Sequence, residues 1–353
     1  MTSQSKLQFK FPVEELDREL IARGAQMAGE KRFKFSDRQG TPQRETIMTR
    51  VKELYATAPP PNQALSHIST WDLARMLMLK TREIARDKAI WGEDDRMDFY
   101  EITNEQIKKN ACSVAAICFK DNLTPIKKGF STLKHKNYGK TFNLCESEPF
   151  RHQPISAGRL STGFLVQEDV IATAGHCAEE KNVTDLRIVF GYKMSDFSTP
   201  VTRVSHKDIY AGVKIIHRSY NRSNGSDWAL VKLDRKVVGQ SVPTLSKEEV
   251  SPHQPVYIFG HPCGLPLKFT AGAQVRDIDR AFFSADLNVY CGNSGSPVFN
   301  KDTHEVTGIV VRGDNQDFRW TDKGWLSVIY PNPALYSKEP QCTRVSEFIG
   351  YCG

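Results

Sequence analysis

The hydrophobic pattern divides the chain into a helical first part and a β-rich remainder. In segment 13–27, apolar residues recur at three- and four-residue steps among charges, which predicts an amphipathic helix. Thr41-Pro42 has the order expected at a helix start, and prolines at 59–61 end the pattern. A third helical pattern follows, over about residues 70–84. We therefore predict a helical N-terminal region.

From about Met97 onward the chain consists of short apolar or β-branched runs separated by turn residues. These runs predict strands over residues 113–119, 163–166, 170–174, 186–190, 229–233, 256–259 and 306–311. Closely spaced short strands are typical of an all-β barrel or sandwich. We place the boundary between the two parts at residues 89 and 90.

The composition is that of an ordinary soluble globular protein, with 39% hydrophobic and 10% aromatic residues. The 48 basic and 41 acidic residues are interleaved, and no basic-aromatic stripe appears, so nucleic-acid binding is not predicted. No apolar run approaches the ~18 residues of a membrane span. The first ten residues lack the apolar core of a secretory signal. This favours a cytoplasmic protein, with a secreted or periplasmic protein lacking its leader as the alternative.

Three motifs carry candidate chemistry: residues 171–177 contain His176, residues 226–231 contain Asp227, and residues 290–297 contain Ser294. A serine between glycines can present its hydroxyl and the neighbouring amides to one carbonyl group. A histidine in a turn of small residues can act on that hydroxyl as a base. Asp227 opens an apolar run that predicts a buried strand.

The order His, Asp, Ser and the motifs around these residues resemble the chymotrypsin/trypsin superfamily of serine peptidases, over roughly residues 90–350. Gly260-His261-Pro262, Asn293 and segment 90–96 are most similar to the bacterial glutamyl-endopeptidase branch. The resemblance implies a mainly β protein with two six-stranded barrels, here preceded by the helical region. Residues 90–353 would form the protease domain, and residues 1–89 a pro-segment or a retained regulatory domain.

The resemblance implies that Ser294 is the nucleophile, His176 the general base and Asp227 the residue that orients the histidine. The backbone amides of Gly292 and Ser294 would form the oxyanion hole. An imidazole with an ordinary pKa near 6.5 would lose activity as it is protonated, roughly below pH 6.5.

The primary specificity pocket is implied to be lined by Asn288, Val289, Tyr290, Val310, Arg312 and Gly313. No aspartate stands at its base, which argues against a preference for lysine or arginine. Glutamate-specific relatives carry a histidine where Val310 stands and a small hydroxyl residue near Val289. We expect cleavage after an acidic or a medium-sized apolar residue, with Arg312 as a candidate partner for an acidic side chain.

The eight cysteines are sparse for this length. By the resemblance Cys177 lacks its usual partner on the preceding strand, and Cys145 is the nearest substitute. Cys342 with Cys352, and Cys263 with Cys291, are further candidate pairs. The histidines have no metal-ligand spacing with cysteine or carboxylate, so neither a metal nor another cofactor is predicted.

The sequence thus predicts a serine endopeptidase that acts on polypeptide substrates. Two alternatives stay open: a pseudoprotease that binds peptides without cutting, and an effector protease gated by a regulatory partner through residues 1–89. A trypsin-like zymogen switch is not predicted, because Asn293 has no charge with which to pair a new N-terminal ammonium group.

Overall fold

Two closed antiparallel β-barrels make up most of the chain that the computed structural model describes. The described residues are 90–91, 94–221, 224–313, 318–330 and 339–352, together with Glu19. All of them except Glu19 belong to one unit, Asp87–Gly353. The predicted helical region, residues 1–89, lies outside the described residues apart from Glu19.

The seven strands predicted from the sequence are all present, with ends that differ by up to three residues. The strands are β1 (Ile90–Trp91), β2 (Met97–Asp98), β3 (Val114–Phe119), β4 (Leu123–Ile126), β5 (Phe130–Leu133), β6 (His135–Asn137), β7 (Pro154–Ser156), β8 (Leu160–Gln167), β9 (Val170–Thr173), β10 (Leu186–Phe190), β11 (Arg203–Ser205), β12 (Ile209–Tyr220), β13 (Asp227–Leu233), β14 (Pro255–Gly260), β15 (Lys268–Ile278), β16 (Phe282–Ala285), β17 (Pro297–Asn300), β18 (Val306–Arg312), β19 (Phe318–Thr321), β20 (Gly324–Ser327), β21 (Ile329–Tyr330) and β22 (Gln341–Arg344). The helices in the described ranges are α1 (Glu105–Ala111) and α2 (Tyr138–Phe142), besides short 3-10 turns.

The first barrel closes in the strand order β10-β12-β13-β9-β8-β3. Its interior is filled by aliphatic side chains such as Ile117, Ile171 and Val231, which the strands direct inward at alternate positions. In the pairing of β9 with β13, Thr173 lies opposite Ala229. The end of β9 therefore lies beside the start of β13, and each of these strand ends carries one residue of the candidate site.

The second barrel closes in the order β14-β17-β18-β22-β16-β15, with β14 pairing back to β15. Strand β2 adds to it by pairing with the first residues of β15. One apolar cluster contains residues of both barrels, including Phe164 and Trp228 from the first and Phe259 and Phe299 from the second. This shared cluster holds the two barrels together, and the candidate site lies where they meet.

Helix α1 shows how local sequence defines an element in this fold. Asn104 caps its start by accepting hydrogen bonds from the backbone amides of Gln106 and Ile107. Near its end, the Asn110 amide donates to the Tyr257 hydroxyl at 2.9 Å. The helix is thereby joined to β14 of the second barrel.

The candidate cysteine pairings are not found: no disulfide is present among the described residues. The Cys145 thiol lies 3.1 Å from the Thr321 hydroxyl, whereas Cys177 is buried in the cluster shared by the barrels. Cys342 is fully buried in the second barrel, and the Cys352 thiol donates to the Phe348 carbonyl. Across the described ranges, no helix is long and apolar enough to cross a membrane.

Candidate active site

His176 and Asp227 are brought together by the pairing of β9 with β13. His176 sits in the 3-10 turn Gly175–Cys177 just after β9, and Asp227 is the first residue of β13. The turn requires glycine at 175, because a Cβ there would overlap the Ser219 carbonyl oxygen. The motif of small residues before the histidine is thus a packing requirement as well as a sequence signature.

Both carboxylate oxygens of Asp227 are used on His176. The His176 Nδ1 atom lies 2.9 Å from Asp227 Oδ2, and the His176 backbone amide donates to Oδ1 at 3.0 Å. A carboxylate only accepts hydrogen bonds, so the proton of the neutral imidazole lies on Nδ1. The Nε2 atom is left as the basic nitrogen, which is the tautomer that a general base requires.

The environment of Asp227 raises the pKa of His176. Asp227 is 1% exposed, and its backbone is held by the Thr343 hydroxyl, which donates to the Asp227 carbonyl at 3.1 Å. Burial opposes the charged imidazolium, but the hydrogen bond to Asp227 and the contact with Cys177 outweigh it, so the pKa of His176 lies well above 6.5. The pH at which activity is lost should accordingly be higher than the sequence suggested.

Ser294 lies in a tight turn between glycines with left-handed backbone conformations. The φ angles are +102° at Gly292 and +91° at Gly295, which side chains disfavour. A Cβ at 292 would overlap the His261 carbonyl oxygen, and a Cβ at 295 would overlap the Thr162 carbonyl oxygen. The turn can therefore form only with glycine at both positions.

The amides in this turn fall into two groups. Those of Asn293, Gly295 and Ser296 donate to backbone carbonyl groups at 2.7 to 3.0 Å. Those of Gly292 and Ser294 donate to no atom in the described part of the chain. The two amides that the sequence assigned to an oxyanion hole are thus the ones that remain available to a bound carbonyl oxygen.

One cleft of about 1200 Å³ brings the predicted residues together. Its lining includes His176, Asp227, Gly292, Ser294, Val289, Tyr290, Val310, Arg312 and Gly313. Asn288 was expected in the lining but does not take part in it. Its side chain is buried, and its amide donates to Asp95 Oδ1 at 2.6 Å.

The pocket beside residues 290–297, the predicted nucleophile loop, has apolar walls. Val289 and Val310 are 4% and 3% exposed and face the cleft. The Arg312 guanidinium is already engaged: it donates to Gln341 Oε1 at 3.1 Å and to the Gly225 carbonyl at 3.0 Å. Arg312 therefore links Gln341 to Gly225 at the edge of the cleft.

Several other residues that line the same cleft were not predicted from the sequence. They come from the strand ends and turns around β16 and β22 and are Asp277, Ile278, Asp279, Phe282, Ser284, Glu339 and Gln341. None of them lies in a recognisable motif. The two short strands carry no signal in the sequence that would have placed them beside Ser294.

A model of the trypsin-like peptidase domain matches residues 161–309, a range that contains His176, Asp227 and Ser294. Together with the two six-stranded barrels, this match supports a place in the chymotrypsin/trypsin superfamily and a hydrolase that acts on peptide bonds. No curated protein sequence matches the chain significantly.

Three solved structures are similar to the chain at low identity. A Glu endopeptidase in complex with MPD is 17% identical, with a TM-score of 0.43, and the match covers 74% of this chain and 98% of that one. The VesB protease of Vibrio cholerae is 16% identical (TM-score 0.44), over 75% of this chain and 66% of VesB. An inactive form of the Rv3671c protease is 14% identical (TM-score 0.41), over 70% and 90% of the two chains. Such identities say nothing of a shared substrate.

Proposed function

We propose that this protein is a serine endopeptidase that cleaves polypeptides through an acyl-enzyme intermediate. The observation that carries the proposal is the geometry of one cleft. In it, Asp227 holds His176 in the tautomer of a base, and the two amides around Ser294 have no acceptor in the described chain. A decayed enzyme has no need to retain all of these features together.

In the proposed reaction, the Ser294 hydroxyl attacks the substrate carbonyl carbon while His176 Nε2 takes its proton. The carbonyl oxygen becomes an oxyanion and accepts hydrogen bonds from the amides of Gly292 and Ser294, each contributing about 3 kcal/mol to the transition state. Imidazolium then returns the proton to the leaving amine as the peptide bond breaks. Water hydrolyses the acyl-enzyme by the same route.

The proposed specificity is for a medium-sized apolar residue before the cleaved bond. Val289 and Val310 offer an apolar wall, and the guanidinium of Arg312 already bonds Gln341 and Gly225. An acidic substrate side chain would have to displace these partners. Profiling with a peptide library should show a preference for valine, leucine or methionine at this position. A dominant preference for glutamate, or for lysine and arginine, would contradict it.

A fluorophosphonate probe on the full-length protein tests the central claim. The wild type should be labelled at Ser294, Ser294→Ala should not react, and Ser198→Ala, which removes an exposed hydroxyl, should react like the wild type. Absence of labelling in the wild type would favour a pseudoprotease. Labelling only after cleavage near Ala89 would make residues 1–89 an inhibitory pro-segment, and labelling only with a partner would make them a regulatory region.

A further inference from the structure

Thr162, on β8 of the first barrel, binds the nucleophile loop of the second barrel at two points. Its side chain is fully buried and does not line the cleft. The Thr162 hydroxyl donates to the Gly292 carbonyl at 2.9 Å, and its backbone amide donates to the Ser294 carbonyl at 3.0 Å. The same hydroxyl accepts a hydrogen bond from the His261 amide at 3.1 Å. Thr162 therefore connects both carbonyl groups that flank Asn293 to the first barrel.

The orientation of the loop depends on how its successive carbonyl groups are held. A peptide unit is planar, so a carbonyl tied in one direction points the amide of the same unit in the opposite direction. The Cys291 carbonyl, whose unit carries the Gly292 amide, accepts from the Cys263 amide at 2.6 Å. The Asn293 carbonyl, whose unit carries the Ser294 amide, accepts from the Ser296 amide at 2.9 Å.

The peptide unit between these two is held by the Thr162 hydroxyl, through the Gly292 carbonyl. The carbonyl groups of residues 291, 293 and 294 are held by backbone amides, and that of residue 292 by a side chain. Gly292 has no side chain of its own to restrict its φ and ψ angles. Loss of the hydroxyl would leave the central unit with one tether in the described chain, the Asn293 amide, which donates to the Tyr290 carbonyl at 3.0 Å. The carbonyl end of that unit, between the two oxyanion-hole amides, would then be free to turn.

We propose that Thr162 is a positioning residue for the oxyanion hole, an inference that rests on the proposed peptidase function. Its hydroxyl holds the Gly292 carbonyl against the first barrel and thereby keeps the amides of Gly292 and Ser294 directed at the substrate carbonyl. Thr162 itself touches neither the substrate nor the reacting atoms. Its contribution should be found in the transition state and not in substrate binding.

The test compares Thr162→Val, which keeps the branched shape but removes the hydroxyl, with Thr162→Ser, which keeps the hydroxyl. Loss of one complete oxyanion-hole donor lowers kcat by about 100- to 1000-fold, so misdirected donors should lower it by about 10- to 100-fold. For Thr162→Val we expect that loss in kcat with KM changed by less than about threefold. Thr162→Ser should stay within about threefold of the wild type in both.

A second readout separates positioning from a general loss of structure. The affinity for a peptide aldehyde, which binds as a tetrahedral adduct with an oxyanion, should fall in parallel with kcat, while the affinity for a product peptide should not change. Rates are expressed per titrated active site, so that an unfolded fraction of the protein does not lower the measured kcat. The matched control is Thr270→Val, because Thr270 is buried and its hydroxyl has no hydrogen-bond partner in the described chain.

The possible outcomes distinguish a failure of this inference from a failure of the proposed function. An active wild type whose Thr162→Val variant keeps its kcat would overturn the positioning role alone, as would a Thr162→Ser variant that loses as much as Thr162→Val. A wild type that neither turns over peptides nor reacts with fluorophosphonate would overturn the proposed function and this inference with it. If Thr162→Val does not fold, Thr162→Ala provides the same comparison without the added methyl group.

Discussion

Replacing Arg96 with methionine should lower the free energy of unfolding by about 3–5 kcal/mol, because the change leaves a buried carboxylate without its cation. The side chains of Arg96 and Glu148 are both fully buried, and Arg96 Nη2 lies 3.5 Å from Glu148 Oε1. Arg96 also binds both carboxylate oxygens of Asp94, at 2.8 and 2.7 Å. Its guanidinium carbon lies 4.5 Å from the centre of the Tyr290 ring.

The magnitude follows from what the variant leaves behind. Methionine can fill much of the space beside Tyr290, so the loss of packing is small. Asp94 is 17% exposed and can regain water. Glu148 cannot, and among the described residues it would keep, without Arg96, only the hydrogen bonds from the amide and the hydroxyl of Ser327. Most of the expected loss is therefore the desolvation of one charge.

A second substitution should restore part of the stability that Arg96→Met removes. Glu148→Gln removes the charge but keeps an oxygen that can accept from the Ser327 amide. The double variant should lose less than about 2 kcal/mol, which is less than Arg96→Met alone. The two single changes would then be strongly non-additive, as expected for residues in one network.

The assay is urea unfolding followed by tryptophan fluorescence, with Ser294→Ala in every variant to prevent self-digestion. The control is Lys120→Met, which breaks an ion pair with Asp185 whose side chains are 60% and 45% exposed. That change should have an effect below about 1 kcal/mol. If Arg96→Met lowers the free energy of unfolding no more than the control does, the charge of Glu148 is not the main cost. A double variant that loses the sum of the two single losses would show the same.

Two further predictions concern the base and the core. Because the pKa of His176 is raised and only the neutral imidazole can accept the Ser294 proton, kcat/KM should rise with pH through a midpoint above 6.5. A midpoint at or below 6.5 in the pH–rate profile would show that burial of the imidazole outweighs the effect of Asp227 on its pKa. Phe299→Ala should lower the free energy of unfolding by about 3–5 kcal/mol in the same urea assay. The reason is that the Phe299 ring is fully buried and stacked on Tyr257, with 5.0 Å between the ring centres. A loss under about 1 kcal/mol would show that the core around Phe299 is loosely packed.

The sequence was sufficient for the seven predicted strands and for the pair His176–Asp227. Runs such as residues 186–190 consist mostly of β-branched and other apolar residues. Short runs of this kind, bounded by turn residues, predict strands. His176 lies just after β9, and Asp227 is the first residue of β13. The two residues lie close together because β9 and β13 are paired neighbours. Asn288 could not be placed from the sequence. Its place in the chain is beside the pocket, but its amide binds Asp95, whose position no motif reveals.

The residues that support the nucleophile loop could not be found from the sequence for a physical reason. Ser294 and Gly292 have a local signature, since a serine presented between residues of positive φ demands glycine nearby. Thr162 and Arg96 are common residue types on two distant segments, and they contact the loop only once both barrels have closed. Their roles are properties of the assembled fold. Substitutions there should accordingly disturb the geometry of catalysis while the three motifs remain intact.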